Sequence, residues 1–209
     1  TGFRIKGKKE RLVPGSGVNL DRHVFEEYPA DNEPVKLLFV GRIMKEKGID
    51  ELLYAAEKIK QEFPDVIFEL AGSYEDDYKE LIEEKEKNGI VRFIGYHKII
   101  HPYYKKASAA VMPSYHEGMS NVVLEAAATG RPVLASDIPG CREGFDDGIT
   151  GIGFESRNSQ AFYEAVERFL KLSYEERKEM GRNARKKIEK EFDRNIVVES
   201  YIEEIGKII

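Results

Sequence analysis

VKLLFVGRIMKEKGIDELLYAAEKIKQEF, residues 35–63, contains a short apolar run that ends at Gly41, a basic loop, and a segment whose apolar positions recur at helical spacing. This pattern predicts a strand, a loop and a helix, in that order. The run is apolar on both faces, which is typical of a strand in a parallel sheet covered by helices on both sides. We therefore expect a buried strand before Gly41 and a helix packed on it.

The same unit recurs along the chain. A short apolar run followed by a helical pattern occupies residues 66–89, 91–107 and 109–130, and PVLAS at 132–136 supplies a further strand. This alternation predicts an α/β fold, with a doubly wound, mainly parallel sheet and helices on both faces. Such sheets bind ligands beyond the carboxyl ends of their strands, so five loops are expected to share one rim. These loops are residues 41–48, 72–75, 95–98, 113–120 and 136–142.

The two ends of the chain differ from this unit. RLVPGSGVNLDRHVF, residues 11–25, indicates a short strand and a glycine-rich turn before a surface connection. After residue 150, helices are predicted from about Ser159 to Leu172, at 174–191 and at 194–208. We interpret the chain as a single domain made of three parts: a first strand and connection (1–35), a Rossmann-like core (36–190) and a carboxyl-terminal helix (191–209).

Composition restricts the class of protein. A chain of 209 residues with 41% hydrophobic and 34% charged residues is typical of a soluble globular protein. The net charge is -5 with acidic and basic residues interleaved, which argues against a nucleic-acid-binding protein. No apolar run is long enough to span a membrane and no signal peptide is visible. With one cysteine, Cys141, and no internal disulfide, we expect a cytoplasmic protein.

The first rim loop is basic. Arg42 follows the strand and Lys47 precedes the helix, whose free backbone N–H groups also favour anions. The two cations are candidates for a diphosphate clamp. The alternative is that Lys and Arg in this loop serve only solvation, which is common near helix starts.

HEGMSNVVLEAAATG, residues 116–130, carries two carboxylates around a helix start. Ser120 is a good N-cap, so free amides of residues 119–121 are expected to face the rim. Glu125 shares a helix face with Asn121, and its carboxylate can accept two hydrogen bonds from a vicinal diol such as a ribose. Glu117 is expected beyond the phosphates, near a sugar. The alternative is a solvated Glu125 and a capping-type Glu117.

Taken together, these motifs resemble those of the carboxyl-terminal domain of family 4 retaining glycosyltransferases with the GT-B fold. The resemblance runs from VPGSGVNLDR through VGRIMKEKGID, VRFIGY and MPSYHEGMSNVVLEAAATGRPVLASDIPGCREGFDDGITGIGF into the final helices. Glu117 and Glu125 form the E-x7-E element of that family. The resemblance therefore implies a domain that binds a nucleotide sugar, most simply one carried by UDP, for retaining hexosyl transfer.

The resemblance also implies a role for each site residue. Arg42 and Lys47 would hold the diphosphate and, with Glu117 at the donor hexose, form the catalytic set. Glu125 would bind the ribose, and two residues of the third loop, Ile94 and Tyr96, would border the base. The donor site as a whole would comprise Arg42, Lys47, Ile94, Tyr96, Glu117, Gly118, Met119, Ser120, Asn121 and Glu125. We expect no metal and no other cofactor, because two cations replace Mg²⁺.

In this family an amino-terminal domain binds the acceptor, and nothing upstream of Thr1 is present. We therefore expect half of an enzyme, inactive by itself, whose partner is the missing acceptor domain. The variants PGSGVNL and GCREG resemble those of transferases that extend lipid-linked or capsular oligosaccharides, which implies a glycan or lipid-linked acceptor. Charged runs such as EERKEMGRNARKKIEKEF are interpreted as a solvated helix face, with peripheral contact at the inner face of the membrane as an open alternative. Two rival functions also stay open: a hydrolysing sugar-nucleotide epimerase, and a non-enzymatic nucleotide-binding or protein-interaction module.

Three further predictions concern features outside this set. His97, His101 and His116 match no metal-ligand spacing and are interpreted as exposed loop histidines. Cys141 has no activating base and is predicted to be unreactive. The last helix carries an apolar stripe that, by the resemblance, would cross back to the acceptor domain; here we expect it to be partly exposed or to form a dimer. The stripe is Ile196, Val197, Tyr201, Ile205 and Ile208 or Ile209.

Overall fold

A computed structural model describes residues 15–75 and 77–206 of the chain. In that part, six strands form one sheet: β1 (Lys36–Val40), β2 (Ile67–Ala71), β3 (Arg92–Gly95), β4 (Ala109–Met112), β5 (Val133–Ser136) and β6 (Gly151–Phe154). Their order is β3-β2-β1-β4-β5-β6, and every neighbouring pair is parallel. The predicted doubly wound, parallel α/β fold is confirmed.

Helices cover both faces of the sheet. They are α1 (Ile49–Glu62), α2 (Tyr78–Lys87), α3 (His101–Lys106), α4 (Asn121–Ala128), α5 (Ser159–Lys171), α6 (Tyr174–Glu191) and α7 (Arg194–Gly206). Leu37 and Phe39 of β1 pack with α1, α2 and α5, whereas Leu38 between them packs with α3 and α4 on the other face. Of these described helices, none combines the length and apolarity needed to cross a membrane.

The five rim loops are tied to one another by backbone hydrogen bonds. The loop after β1 joins the loop after β2 (Ile43 N–H to Ser73 O, 2.8 Å) and the loop after β4 (Tyr115 N–H to Glu46 O, 2.9 Å). The outer loops are joined in the same way, by Gly72 N–H to Gly95 O at 2.9 Å and Ser120 N–H to Gly140 O at 2.7 Å. The prediction that these loops share one rim is confirmed.

Arg131, between α4 and β5, is fully buried, and no carboxylate of residues 15–75 or 77–206 forms an ion pair with it. Its guanidinium instead makes five hydrogen bonds of 2.7 to 3.0 Å to backbone carbonyl oxygens. Burial lowers the pKa of Arg131 to about 10, so the side chain stays charged at pH 7. The guanidinium thus joins the end of α3, the chain before β1 and the turn after α4. The carbonyl groups belong to Tyr104, Lys105, Glu26, Glu27 and Gly130.

The segment before β1 departs from the prediction of a short strand. Within residues 15–35 the only strand-like pairing is a single bridge between Val18 and Asp193. Val18 N–H donates to Phe192 O at 2.8 Å, and Arg194 N–H donates to Val18 O at 3.0 Å. This segment packs against the start of α7 instead of extending the sheet, and residues 11–14 lie outside the described part.

The apolar stripe of α7 is exposed, with different members from those predicted. Val198, Tyr201, Ile202 and Ile205 have 46 to 63% of their surface exposed and recur at helical spacing. Val197, assigned to the stripe from sequence, is buried. Ile208 and Ile209 lie outside the described residues. The expectation of a partly exposed stripe is confirmed for the described turns of the helix.

Candidate functional site

The reversal of strand order between β1 and β4 brings two predicted site residues into contact. Lys47 ends a 3-10 turn (Lys45–Lys47) after β1, and Glu117 lies in the loop after β4. Nζ of Lys47 lies 2.6 Å from Oε1 of Glu117, although the residues are 70 positions apart. The two side chains are only 19% and 15% exposed, so water screens this ion pair less than a surface pair.

Gly48 allows this contact. Its φ of 72° lies in the left-handed region, and a Cβ atom there would sit 2.1 Å from the carbonyl oxygen of Pro113. Any side chain would therefore push the loop after β1 away from the loop after β4. The glycine sets the close approach of the two loops that carry Lys47 and Glu117.

Arg42 points towards the other neighbour of β1. Its Nη1 donates to Oε2 of Glu75, in the loop after β2, at 2.9 Å, and both side chains are largely exposed. The two cations of the predicted clamp thus contact carboxylates on opposite sides of the first loop. The structure places both at the rim but does not bring them into contact with each other.

A cavity of about 210 Å³ lies beside Arg42 at the ends of the first three strands. Tyr96 lines it and is 73% exposed, whereas Ile94 packs into the core on the α3 side of the sheet. His97 also lines the cavity, half-buried, with Nε2 2.7 Å from the Ile94 carbonyl oxygen, so its prediction as an exposed residue is wrong. A wider depression of about 660 Å³ beyond β5 and β6 includes no predicted site residue.

The start of α4 confirms the predicted cap and corrects the predicted amides. The hydroxyl of Ser120 accepts a hydrogen bond from Val123 N–H, and the helix begins at Asn121. However, Ser120 N–H donates to Gly140 O at 2.7 Å, so this amide is not free for a ligand. Gly140 has a φ of 89°, and a Cβ there would lie 1.6 Å from the Gly118 oxygen. The loop after β5 therefore occupies the position next to Ser120.

Glu125 is a half-buried carboxylate in a helix whose other buried residues are apolar. Oε2 accepts a hydrogen bond from the hydroxyl of Tyr104 at 3.4 Å, and Oε1 lies 3.7 Å from Nε2 of His23. Burial raises the pKa of Glu125, and the hydrogen bond from Tyr104 opposes that rise. A further hydrogen-bond donor would stabilise the charged carboxylate in this setting, which is the property expected of a group that binds a diol.

His23 escapes prediction from the sequence because a single histidine in a turn has no periodic signal. Burial lowers its pKa to about 4, and His101, Arg22 and Arg194 act in the same direction. The imidazole is therefore neutral at pH 7, and its contact with Glu125 is not a salt bridge. Nδ1 of His23 is buried without a hydrogen-bond partner among the described residues.

His101 and His116 have different environments. His101 begins α3 and is largely buried, with its ring 5.9 Å from that of His23 and Nε2 3.2 Å from Glu26. Its prediction as an exposed loop histidine is wrong, because His101 is the first residue of α3 and its side chain packs against Glu26 and His23. His116 is exposed, as predicted.

Two observations bear on nucleophile and metal chemistry. Cys141 is buried, and burial together with the nearby carboxylate of Glu117 raises its pKa to about 12, so the thiol stays protonated. Across residues 15–75 and 77–206, no three side chains among His, Cys, Asp and Glu come together as metal ligands. Metal-independent binding stays a prediction.

Solved structures share this fold. The Anabaena protein HepE, determined in complex with UDP, matches with a TM-score of 0.78 and 20% identity over 91% of this chain and 56% of HepE. The carboxyl-terminal domain of a glycosyl transferase group 1 family protein, LpcC from Francisella tularensis, matches with a TM-score of 0.72 and 23% identity over 85% of this chain and 99% of that domain. The fold is that of a GT-B glycosyltransferase domain.

The family follows from sequence. The profile described as "Glycosyl transferases group 1" matches residues 21–187, and the chain belongs to that family. It is 31% identical to a glycogen synthase of Mycobacterium tuberculosis over 78% of this chain and 41% of that protein. It is 32% identical to an alpha-D-kanosaminyltransferase of Streptomyces kanamyceticus over 76% of this chain and 42% of that protein. The chain thus spans about two fifths of the length of these relatives.

We expect His23→Phe to reduce the loss of stability in acid. The pKa of His23 is lowered from 6.5 to about 4, so its contribution to stability is complete above pH 6.5 and is lost as the pH falls towards 4. Between pH 7.5 and 4.5 this loss amounts to about 2 kcal/mol of unfolding free energy. Phenylalanine cannot titrate and fills a similar volume.

Urea unfolding at pH 7.5 and pH 4.5 measures the effect. His116→Phe, at an exposed histidine, is the matched control and should lose as much stability in acid as the parent. Equal acid losses in His23→Phe and the parent would show that folding does not lower the pKa of His23.

Proposed function

We propose that this domain binds a nucleotide sugar, carried by UDP, for retaining transfer of a hexosyl group to a glycan or lipid-linked acceptor. The observation that carries the proposal is the contact of Lys47 with Glu117 at the strand-order reversal, in a chain of the glycosyl transferase group 1 family. Ligands of doubly wound sheets bind at such reversals. Structural neighbours solved with UDP and UDP-glucose support the choice of carrier.

Each rim group has a role in the proposed complex. Glu125 accepts hydrogen bonds from the ribose diol, and Tyr96 borders the base at the mouth of the 210 Å³ cavity. Lys47 binds the diphosphate, together with the amino-terminal end of α4 and Arg42, once Arg42 leaves Glu75. Glu117 accepts hydrogen bonds from the hexose. No metal is required, because the cations stabilise the leaving diphosphate electrostatically.

Binding requires an exchange of partners at Lys47. In the protein alone its charge is satisfied by Glu117 at 2.6 Å. A diphosphate carries more negative charge than a carboxylate and competes for the same ammonium group. Lys47 then turns to the phosphates, and Glu117 is released to accept hydrogen bonds from sugar hydroxyls. Diphosphate binding thereby prepares the hexose position.

The proposed transfer breaks the bond between the anomeric carbon and the diphosphate oxygen. The acceptor oxygen forms the new bond on the same face of the sugar, and its proton passes to the departing diphosphate. No protein nucleophile takes part, which agrees with the protonated state of Cys141. The relatives are nearly twice as long as this chain, and we propose that their additional domain holds the acceptor and that α7 packs against it. The domain alone would then bind the donor without efficient transfer.

We expect UDP to bind this domain weakly and about tenfold or more tighter than UMP, because the second phosphate reaches Lys47. The dissociation constants of UDP, UMP and GDP, measured by calorimetry, test the preference for the base and the contribution of the second phosphate. Lys47→Met should remove most of the preference for UDP over UMP. The absence of binding by every nucleotide at millimolar concentration would refute the proposed function.

The two glutamates should respond differently to an isosteric change. Glu125→Gln should lower the affinity for UDP by roughly three- to tenfold, because the amide accepts hydrogen bonds less strongly than a carboxylate. Glu117→Gln should leave UDP binding unchanged or slightly tighter, because Lys47 loses its competing partner, while the added affinity of UDP-glucose over UDP is lost. Equal weakening of UDP by both substitutions would mean that Glu117 is misplaced.

The exposed stripe of α7 should make this chain self-associate at high concentration. Light scattering of the 209-residue chain is compared with a fragment that ends at Phe192. The fragment should be monomeric and should retain its nucleotide binding, because the rim loops precede it. If both are monomeric and the fragment unfolds at much lower temperature, α7 belongs to the core of this domain and the assignment to a second domain is wrong.

A further inference from the structure

Tyr115 stands two residues before Glu117, in the loop after β4, and its hydroxyl group reaches across to α1. It lies 2.9 Å from Oε1 and 3.1 Å from Oε2 of Glu51, in the first turn of that helix. The carboxylate of Glu51 is buried, with 7% of the residue exposed. A buried carboxylate needs a donor, and Tyr115 supplies it.

The backbone of Tyr115 makes a second contact with the same segment. Tyr115 N–H donates to the carbonyl oxygen of Glu46 at 2.9 Å. Glu46 precedes Lys47 directly, and Glu51 follows it by four residues. Two contacts of one residue therefore bracket Lys47 from both sides, while Glu117 extends from the same loop as Tyr115. Tyr115 thus joins the segment that carries Lys47 to the loop that carries Glu117.

A third element holds the ring of Tyr115 from its other side. The guanidinium of Arg157, between β6 and α5, lies 4.8 Å from the ring centroid. Among the described residues Arg157 is the one non-glycine residue with positive φ, at 60°. Left-handed backbone disfavours a long side chain, so a conformation that places the guanidinium on this ring must be held by its surroundings. The neighbouring Ser156 hydroxyl donates to Ser114 O at 3.2 Å.

We propose that Tyr115 is a positioning residue: its bonds to Glu51 and Glu46 hold the segments that carry Lys47 and Glu117 at the separation from which both side chains can reach a sugar diphosphate. The identity of the ligand rests on the proposed function, whereas the contacts of Tyr115 do not depend on it. Burial and the bond to Glu51 raise the pKa of Tyr115 to about 12, so the hydroxyl remains a donor throughout the neutral range. Tyr115 touches neither phosphate nor sugar in this arrangement.

The first test needs no ligand. The coupling between Lys47 and Glu117 is measured by a double-mutant cycle of Lys47→Met and Glu117→Gln on the unfolding equilibrium, in the parent and in Tyr115→Phe. We expect a coupling of at least threefold in the parent and none within error in Tyr115→Phe. Equal coupling in both backgrounds would overturn the positioning role, whether or not any nucleotide binds.

The second test uses the ratio of the dissociation constants of UDP and UDP-glucose. Tyr115→Phe should lower the advantage of UDP-glucose over UDP by about threefold or more, because both Lys47 and Glu117 must be in place for the sugar diphosphate. Glu51→Gln keeps an acceptor for the hydroxyl and should retain most of that advantage. If the ratio of the two dissociation constants in Tyr115→Phe equals that of the parent, the tyrosine has a purely structural role and the inference is refuted.

A matched control separates this effect from the general loss of a tyrosine hydroxyl. Tyr163 donates to the carboxylate of Glu62 at 2.6 Å on the α1–α5 side of the domain, away from the rim. Tyr163→Phe removes the same kind of hydrogen bond and should alter neither the coupling nor the ratio. If the parent binds neither UDP nor UDP-glucose, the proposed function fails, and the double-mutant cycle alone decides the role of Tyr115.

Discussion

The parallel sheet reverses its order between β1 and β4, and most of the site depends on that reversal. On one side of β1 the chain continues to β2 and β3, and on the other it returns to β4, β5 and β6. The loops after β1 and β4 therefore leave the sheet side by side but lead to helices on opposite faces. A crevice opens where they part, and Lys47 and Glu117 meet across it. Residues far apart in sequence become neighbours because β4 pairs in parallel with β1, so the loops that follow the two strands lie at the same edge of the sheet.

Electrostatics at the rim depend on how each carboxylate is satisfied. Glu117 is paired with a cation, Glu51 with a tyrosine hydroxyl, and Glu125 with a tyrosine hydroxyl and a neutral imidazole. Of these three, only Glu117 contacts a full positive charge within the described part of the chain, and burial raises the pKa of Glu125. In the proposed complex, the overall charge of -5 does not oppose anion binding at the rim, because Lys47 and Arg42 exchange their carboxylate partners for phosphates.

Sequence periodicity was sufficient for β1 to β5, the helices and the shared rim, because alternation and helical spacing report burial directly. It did not identify β6, in which two of the four residues are glycines. Ser120 as a cap was also predictable, since capping depends on a few adjacent residues. The hydrogen bond of its amide to Gly140 was not, because the partner lies in another loop. His23, Glu51 and Tyr115 escaped for the same reason. An acidic residue in the first turn of a helix normally interacts with the helix dipole, and only the folded loop after β4 gives Glu51 its tyrosine partner.

Arg131 has a consequence for the order in which the chain can fold. Its five N–H groups are satisfied by carbonyl groups from segments as much as 105 residues earlier. If β5 joined the sheet before residues 26–27 arrived, two of those hydrogen bonds would be missing and a desolvated cation would be left short of acceptors. Such long-range closure is slow in refolding from a fully extended chain. During synthesis, however, residues 26–27 emerge from the ribosome well before Arg131, so vectorial translation supplies the acceptors before the guanidinium needs them.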